Sequence, residues 1–170
     1  SVGLYVPRGK GAFPSALYML ALPAVIAGVK DIAVVSPPTS AGTTDDATLY
    51  TAKLCGIENV YKVGGAQAIA ALAYGTETVP QVKKVLGPGS PYVAAAKRLC
   101  SVIMDPGMPA GPSESIVLAD GTADPYNTCW DILNEAEHGE DSAALLITHD
   151  ETLAAYVLEN LPKVIAELPE

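Results

Sequence analysis

The sequence predicts an α/β protein in which a mostly parallel sheet is flanked by helices and is followed by a partial second β-α-β-α unit. Short apolar runs alternate with longer segments of helical pattern, which is typical of right-handed β-α-β units. The apolar runs contain few polar residues, as expected for strands that are covered on both faces. Hydrophobic residues make up 49% and charged residues 17% of the 170 positions, so a sizeable core is expected and disorder is not.

The first part of the chain is predicted to contain four strands and four helices. Pro14 suits the first turn of a helix, where its missing N–H is no loss, and Pro23 is expected to kink or divide that helix. Thr43 or Thr44 is expected to cap the second helix, and Gly56 to end it. The predicted strands are 3–6, 31–36, 60–63 and 82–86, and the predicted helices are 14–29, 44–54, 66–74 and 92–102.

A connection rich in proline and glycine, residues 104–114, leads to a second group of elements. Its predicted strands are 115–119 and 143–148, and its predicted helices are 125–138 and 151–168, the last capped by Asp150. The net charge changes at the same place, from +3 over residues 1–112 to −12 over residues 113–170. We therefore predict two lobes with these bounds. Because two strands are rarely stable alone, and because the sequence begins abruptly in a strand, we expect the chain to be a piece of a longer protein.

The composition argues against several classes of function. A net charge of −9 is a poor match for nucleic acid or for an anionic membrane, since both attract a basic surface. The uncharged stretch Gly11–Val29 falls short of the ~20 apolar residues of a membrane span and contains two prolines. The first residues lack the pattern of a signal peptide. Three distant cysteines without a C-x-x-C pair support neither a disulfide framework nor a zinc knuckle, and they predict a reducing, cytoplasmic compartment.

Glycine-bearing turns follow three of the predicted strands, at residues 7–11, 64–65 and 87–90. In a parallel α/β sheet, ligands bind beyond the carboxyl ends of the strands, and helix N-termini favour anions there. A dinucleotide or a phosphate would suit this edge. The G-x-G-x-x-G and Walker fingerprints are absent from the sequence, however, so the alternative that these glycines only form tight turns stays open.

Glu135 and His138 lie three residues apart on one predicted helix, a spacing that puts two ligands on one face. A zinc site needs at least three protein ligands, and the sequence offers no convincing third. A solvated acidic face, with Glu137 and Glu140, is the open alternative. Glu137 and His138 do not form an acid/base pair, because adjacent helix residues point about 100° apart. Ser113 could hold a substrate hydroxyl or cap a turn, and no G-x-S-x-G elbow marks it as a nucleophile.

The sequence resembles the histidinol dehydrogenase family across its whole length. Five segments carry the resemblance, in this order: GLYVPRGKGAFPS, VGGAQAIAALAYGTETVP, VLGPGSPYVAAAKR, MPAGPSE and LNEAEHGEDS. The family is longer, and it oxidises L-histidinol to L-histidine in two successive steps of histidine biosynthesis, with NAD⁺ and a bound zinc ion. It acts as a homodimer with shared active sites. The resemblance implies an incomplete Rossmann-like NAD-binding lobe over residues 1–112 and a partial second lobe over residues 113–170.

The resemblance also implies which residues contact the cofactor. Tyr5 matches one NAD contact of the family, and Gln67 matches a second. The third is an asparagine in the family and is Ser90 in this chain. Serine is shorter and replaces an amide by one hydroxyl, so this contact would differ from that of the family.

The second lobe is expected to carry the substrate and metal residues. Ser113 matches a substrate-binding serine, and His138 matches a zinc ligand that also lies near the substrate. Glu135 stands where the family has a glutamine zinc ligand; it adds a negative charge and remains a competent oxygen ligand. The family's Glu-His acid/base pair and its other zinc ligands have no counterpart in this sequence, so no catalytic residue is assigned and the chain alone is expected to be inactive.

The sequence is also compatible with other functions. Ser90 and Glu135 motivate a dehydrogenase of the same family that acts on another small polar alcohol instead of a histidinol-like amino alcohol. A non-catalytic module that has kept the fold is a further alternative, and the pattern of elements alone supports only a phosphate-binding α/β domain. Residues 115–170 are expected to pair with another copy, to rearrange, or to pack differently from the full-length enzyme, because a partial lobe exposes apolar surface.

Overall fold

The computed structural model describes residues 1–8, 11–108, 114–136 and 142–168. The chain divides into two compact units, Ser1–Gly111 and Pro112–Glu170. Each contains a parallel sheet flanked by helices, which confirms the predicted α/β class. Within the described residues, no helix combines the length and the apolar character that crossing a membrane requires.

In its described part, the first unit contains four strands and four helices in the predicted order. The strands are β1 (Val2–Tyr5), β2 (Ile32–Val35), β3 (Val60–Tyr61) and β4 (Lys84–Leu86). The helices are α1 (Pro14–Ile26), α2 (Asp46–Leu54), α3 (Gly65–Tyr74) and α4 (Pro91–Leu99). All four strands are parallel, in the order β3-β2-β1-β4. The chain therefore builds outward from β1 on one side and then returns to its other side, which makes the gap between β1 and β4 the topological switch point.

Both faces of this sheet are covered, as the apolar strands predict. Leu4 and Val34 belong to a core shared with Leu17 and Ala21 of α1 and with Ala52 of α2. The residues next to them in the strands, Tyr5 and Val35, point the other way and belong to a core with Ile69 and Leu72 of α3 and Val93 of α4. The switch of direction at β1 thus places α1 and α2 on one face and α3 and α4 on the opposite face.

The start of α2 differs from the prediction. Its cap is Asp45, whose carboxylate accepts a hydrogen bond of 2.9 Å from the backbone N–H of Thr48, and neither Thr43 nor Thr44 takes that position. Carboxylate caps and hydroxyl caps satisfy the same orphan donors, so the local sequence alone does not select among them. The predicted end of this helix is correct: Gly56 follows the C-cap residue Cys55 and adopts a φ of +71°.

Of the two expected effects of Pro23, a kink or a division, the division does not occur. The helix continues to Ile26. Pro23 has no N–H to donate to the carbonyl of Met19, but both residues lie on the exposed side of the helix, where water can replace this hydrogen bond. The helix ends at Ile26, and Gly28, two residues later, has a φ of +70°. The N–H of Val29 then bonds to the carbonyl of Ala24, the pattern of a Schellman cap.

The second unit contains β5 (Glu114–Leu118), α5 (Pro125–Ala136), β6 (Ala143–Ile147) and α6 (Glu151–Ile165). Its two strands are parallel, with Ile116 opposite Leu145 and Leu118 opposite Ile147. Asp150 caps α6 as predicted, accepting a bond of 2.8 Å from the N–H of Leu153.

Only one face of the β5–β6 pair is covered within the described residues. Cys129 and Ile132 of α5 pack with Leu153 and Val157 of α6 and with the half-buried Val117. The large side chains of the other face are exposed: Ile116, Leu118, Leu145 and Ile147. We refer to these four residues as the open face.

Candidate functional site

Tyr5 lies at the carboxyl end of β1 and links this strand to the start of α3. Its side chain is buried, and its hydroxyl accepts a hydrogen bond of 3.0 Å from the backbone N–H of Gly65. The first N–H groups of a helix have no partner within the helix, so the tyrosine hydroxyl satisfies one of them. This bond fixes the N-terminus of α3 over the end of the central strand.

Gln67 lies in the first turn of α3, next to the residue that Tyr5 contacts. Gly65 has a φ of +69°, and a Cβ atom there would lie 2.8 Å from Oε1 of Gln67. Gly64 precedes it, and a Cβ at that position would overlap the ring of Pro37. Gly64 therefore allows the start of α3 to approach Pro37, just beyond β2. The two residues predicted as cofactor contacts, Tyr5 and Gln67, both lie at this helix terminus.

Ser90 occupies the N-cap position of α4, at the end of the turn that follows β4. Its side chain is exposed and makes no capping hydrogen bond. The turn begins at Gly87, which has a φ of +116°, and a Cβ there would overlap the carbonyl oxygen of Tyr5. Because β4 pairs directly with β1, this turn packs against Tyr5 at the switch point. The structure thus brings Tyr5, Gln67 and Ser90 to one edge of the sheet.

Lys97 is a buried lysine that the sequence reasoning missed. It lies in the last turn of α4, is 4% exposed, and donates a hydrogen bond of 2.6 Å from Nζ to the carbonyl oxygen of Gly87. Burial lowers the pKa of Lys97 below its ordinary value, because an apolar environment disfavours the charged form. The signal in the sequence is its spacing from Ser90: two turns of helix put both residues on the same side of α4.

Two further polar atoms at this edge are buried without a hydrogen-bond partner among the described residues, Nε of Arg8 and Oγ of Ser36. Ser36 follows β2 directly and is 1% exposed, and Arg8 follows β1. Unsatisfied buried polar groups are rare in proteins, and each calls for a partner such as water or a ligand. The glycines of this first turn are apparent from the sequence, whereas the buried position of its arginine is not.

In the second unit, Glu135 is half-buried in the last turn of α5. The other two residues predicted to bind substrate or metal, Ser113 and His138, lie outside the described residues, so the Glu135–His138 pair stays a prediction. Among the residues that the structure describes, no group of three histidine, cysteine, aspartate or glutamate side chains is arranged to hold a metal ion.

A cavity of about 760 Å³ opens at the carboxyl ends of β5 and β6, and Asp120, Asp131 and His149 are among the residues that line it. Asp120 accepts bonds of 2.6 Å and 2.9 Å from the hydroxyl and the backbone N–H of Thr122. These bonds, with a smaller contribution from His149, lower the pKa of Asp120. The carboxylate is therefore held in place by the turn itself.

The family model described as Histidinol dehydrogenase matches residues 1–170, the whole of the sequence. The chain belongs to the histidinol dehydrogenase family. It is 59% identical over 169 residues to the histidinol dehydrogenase of Synechocystis sp., covering 99% of this chain and 39% of that protein. It is 55% identical over 170 residues to a histidinol dehydrogenase homolog of Rhizobium meliloti, covering 100% of this chain and 37% of that protein.

The fold also matches a solved member of the histidinol dehydrogenase family. The crystal structure of histidinol dehydrogenase from Elizabethkingia anophelis superposes with a TM-score of 0.94 at 44% identity, covering 99% of this chain and 39% of that chain. This chain spans about two fifths of the length of the relatives named here. The family resemblance carried by the five motifs is confirmed, and the match extends over both compact units.

Proposed function

We propose that the first unit binds NAD⁺ at the edge formed by Tyr5, Gln67 and Ser90, as part of an enzyme that oxidises L-histidinol to L-histidine in two steps. The observation that carries this proposal is the contact of Tyr5 with both neighbouring elements: its hydroxyl meets the start of α3, and its carbonyl meets the turn before α4. Ligands of doubly wound sheets bind at such a switch point.

The residues at this edge fit a dinucleotide chemically. The N-termini of α3 and α4 provide backbone N–H groups, which favour anions such as a pyrophosphate. Nε of Arg8 and Oγ of Ser36 are donors without a partner in the described chain. When bound, NAD⁺ supplies the hydride acceptor of the reaction. The protein's own part is to bind the dinucleotide through the hydroxyls of Tyr5 and Ser90 and the amide of Gln67.

The second unit is proposed to contribute to zinc and substrate binding. A carboxylate at Glu135 and an imidazole at His138 are both donors that zinc accepts. Two donors do not complete a site, so the remaining ligands would come from parts of a longer protein. When bound, zinc supplies a Lewis acid for the substrate oxygen. The hydroxyl of Ser113 would orient the substrate, and the charge of −12 over residues 113–170 would attract a cationic amino alcohol.

We extend the proposal to the assembly of the protein. The longer enzyme would act as a homodimer in the cytoplasm, with active sites shared between subunits. The chain alone would then form no NADH from L-histidinol, because an acid/base pair and part of the metal site are missing from it. NADH formation by the purified chain, in the absence of any longer enzyme, would contradict this part of the proposal.

Calorimetric titration of the full chain with NAD⁺ tests the cofactor site. We expect saturable binding by the wild-type chain and affinity about tenfold weaker in Tyr5→Phe, because the hydroxyl that organises the start of α3 is lost. Tyr74→Phe is the matched control: Tyr74 ends the same helix and is 66% exposed, so its hydroxyl should not affect binding. Equal affinity in the wild type and Tyr5→Phe would contradict the assignment of Tyr5.

A second candidate is oxidation of a different small polar alcohol by the same type of site. It is favoured by two residues, since Ser90 and Glu135 stand where the family motif has asparagine and glutamine. Thermal-shift measurements with zinc, NAD⁺ and a panel of L-histidinol and other polar alcohols would separate the candidates. If the second is correct, the double variant Ser90→Asn/Glu135→Gln should shift binding towards L-histidinol. A wild-type chain that already prefers L-histidinol would exclude it.

A further inference from the structure

Among the described residues, the buried amine of Lys97 has one hydrogen-bond partner. Lys97 is 4% exposed, and within the described residues its hydrogen-bond partner is the carbonyl oxygen of Gly87, 2.6 Å from Nζ. No carboxylate forms an ion pair with it in this part of the chain. A buried ammonium with one neutral acceptor is costly, so the residue is poorly explained as a device for stability alone.

The turn that Lys97 contacts is packed on both of its sides. Gly87 abuts the carbonyl of Tyr5 so closely that no Cβ fits between them. Two residues later, a Cβ at Gly89 would lie 2.5 Å from Cγ1 of Val93. The hydrogen bond from Lys97 adds a third restraint, on the carbonyl of Gly87 itself. The backbone of the turn is therefore fixed from the end of β4 up to Ser90.

The restrained turn carries one of the proposed cofactor contacts and touches another. Ser90 ends the turn, and its hydroxyl is not used as a helix cap. Tyr5 lies against the start of the turn, and its hydroxyl is directed to Gly65 at the start of α3. The position of Gly87 thus sets the distance between the Ser90 hydroxyl and the Tyr5–Gln67 pair.

We infer that Lys97 is a positioning residue for the dinucleotide site: its amine fixes the Gly87 carbonyl and thereby places Ser90 relative to Tyr5 and Gln67. This inference rests on the proposed function, since it assumes that these three residues contact NAD⁺. Lys97 itself does not need to touch the cofactor. It acts through the turn, and its contribution should appear in cofactor affinity and in the conformation of residues 87–90.

Three variants of the full chain test this role. Lys97→Met keeps the apolar stem and removes the amine, whereas Lys97→Arg keeps a cationic donor. Arg98→Met is the matched control, because Arg98 is the exposed neighbour of Lys97 on the same helix. By calorimetry we expect NAD⁺ affinity to fall about tenfold in Lys97→Met, to recover at least in part in Lys97→Arg, and to stay unchanged in Arg98→Met. A purely structural role would instead lower the urea midpoint of Lys97→Met and leave the affinity of its folded fraction intact.

Nuclear magnetic resonance of the same variants provides a readout that does not depend on the cofactor. In Lys97→Met, the carbonyl ¹³C resonance of Gly87 and the amide resonances of Gly89 and Ser90 should shift or broaden, and in Arg98→Met they should not. If the wild-type chain binds NAD⁺ and Lys97→Met binds it equally well, the inference is wrong and the proposed function stands. If the wild-type chain binds no NAD⁺ at millimolar concentration, the proposed cofactor site is wrong. Unperturbed resonances of residues 87–90 in Lys97→Met would in addition overturn the positioning role of Lys97.

Discussion

Gly87 is the residue at which the turn after β4 touches Tyr5. Its φ of +116° lies in a region that other residues rarely adopt, and a Cβ would overlap the tyrosine carbonyl. Both properties require glycine, one through the backbone conformation and the other through the close approach. The contact between the two strands that flank the switch point therefore depends on the absence of one side chain.

Gly87→Ala should destabilise the first unit by about 3 kcal/mol, because strain and overlap with backbone act together. Gly42→Ala is the control, since Gly42 has a φ of +74° but has no neighbouring atom within 4 Å of a Cβ; strain alone should cost about 1 kcal/mol there. Urea unfolding followed by circular dichroism measures both values. Equal losses in the two variants would show that the contact with Tyr5 is not tight.

At the same scale, the family motifs imply some candidate site residues, and the sequence leaves others unmarked. The resemblance implies Tyr5, Gln67 and Ser90 as NAD contacts, and these assignments stay predictions. The pairing of Lys97 with Gly87 is not predicted, because it depends on how deeply α4 packs against the sheet. A lysine near a helix C-terminus ordinarily favours the helix dipole from the surface. The spacing in α4 separates the face of Lys97 from that of Arg98, but only the tertiary fold shows that the Lys97 amine reaches the Gly87 carbonyl.

Among the helices and strands, the order of elements is predicted well and their ends less well. The sequence around residues 43–46 offers four successive capping residues, and the choice of Asp45 is made by the packing that buries Thr44. The apolar patterns also predict longer strands than form: β3 is Val60–Tyr61 and β4 is Lys84–Leu86. The predicted strands 60–63 and 82–86 each extend past the observed strand at one end, so the sequence pattern marks a strand but not where its pairing begins or stops.

Asp45→Ala should lower the free energy of unfolding by about 1 kcal/mol, because the N–H of Thr48 loses its acceptor. Asp46→Ala is the matched control, because Asp46 is exposed in the first turn of the same helix. This substitution should lower the free energy of unfolding by only about 0.3 kcal/mol, through the lost interaction with the helix dipole. Thermal or urea unfolding of both variants measures the difference. A larger loss in Asp46→Ala would identify that residue as the cap.

For the whole molecule, the two units differ in how their sheets are covered. The first has helices on both faces of four strands, whereas the open face of the second, defined by Ile116, Leu118, Leu145 and Ile147, is exposed. Parallel sheets are normally buried on both faces, and an exposed group of large apolar side chains favours association. The small number of strands in the sequence predicts that apolar surface is exposed, but it does not predict which face of the β5–β6 pair lacks helices.

The chain should self-associate with increasing concentration through the open face, and Leu118→Lys should shift it towards the monomer. Leu118 is 79% exposed at the end of β5, so a lysine there adds charge without disturbing the core. Leu158→Lys is the control, because Leu158 is equally exposed but lies on α6. Sedimentation velocity measures both. A wild-type chain that stays monomeric at high concentration, or an equal response of the two variants, would contradict the prediction.

The central position of β1 has a consequence for the order in which the first unit can fold. Val2 pairs with Ile32 on one side and with Lys84 on the other, so the strand made earliest in the unit acquires its second neighbour only after β2, β3 and their helices have been synthesised. Such distant pairings slow folding and raise the contact order. During translation, the nascent unit would present one unpaired edge of β1 until β4 leaves the ribosome, and this interval is when it would most need a chaperone.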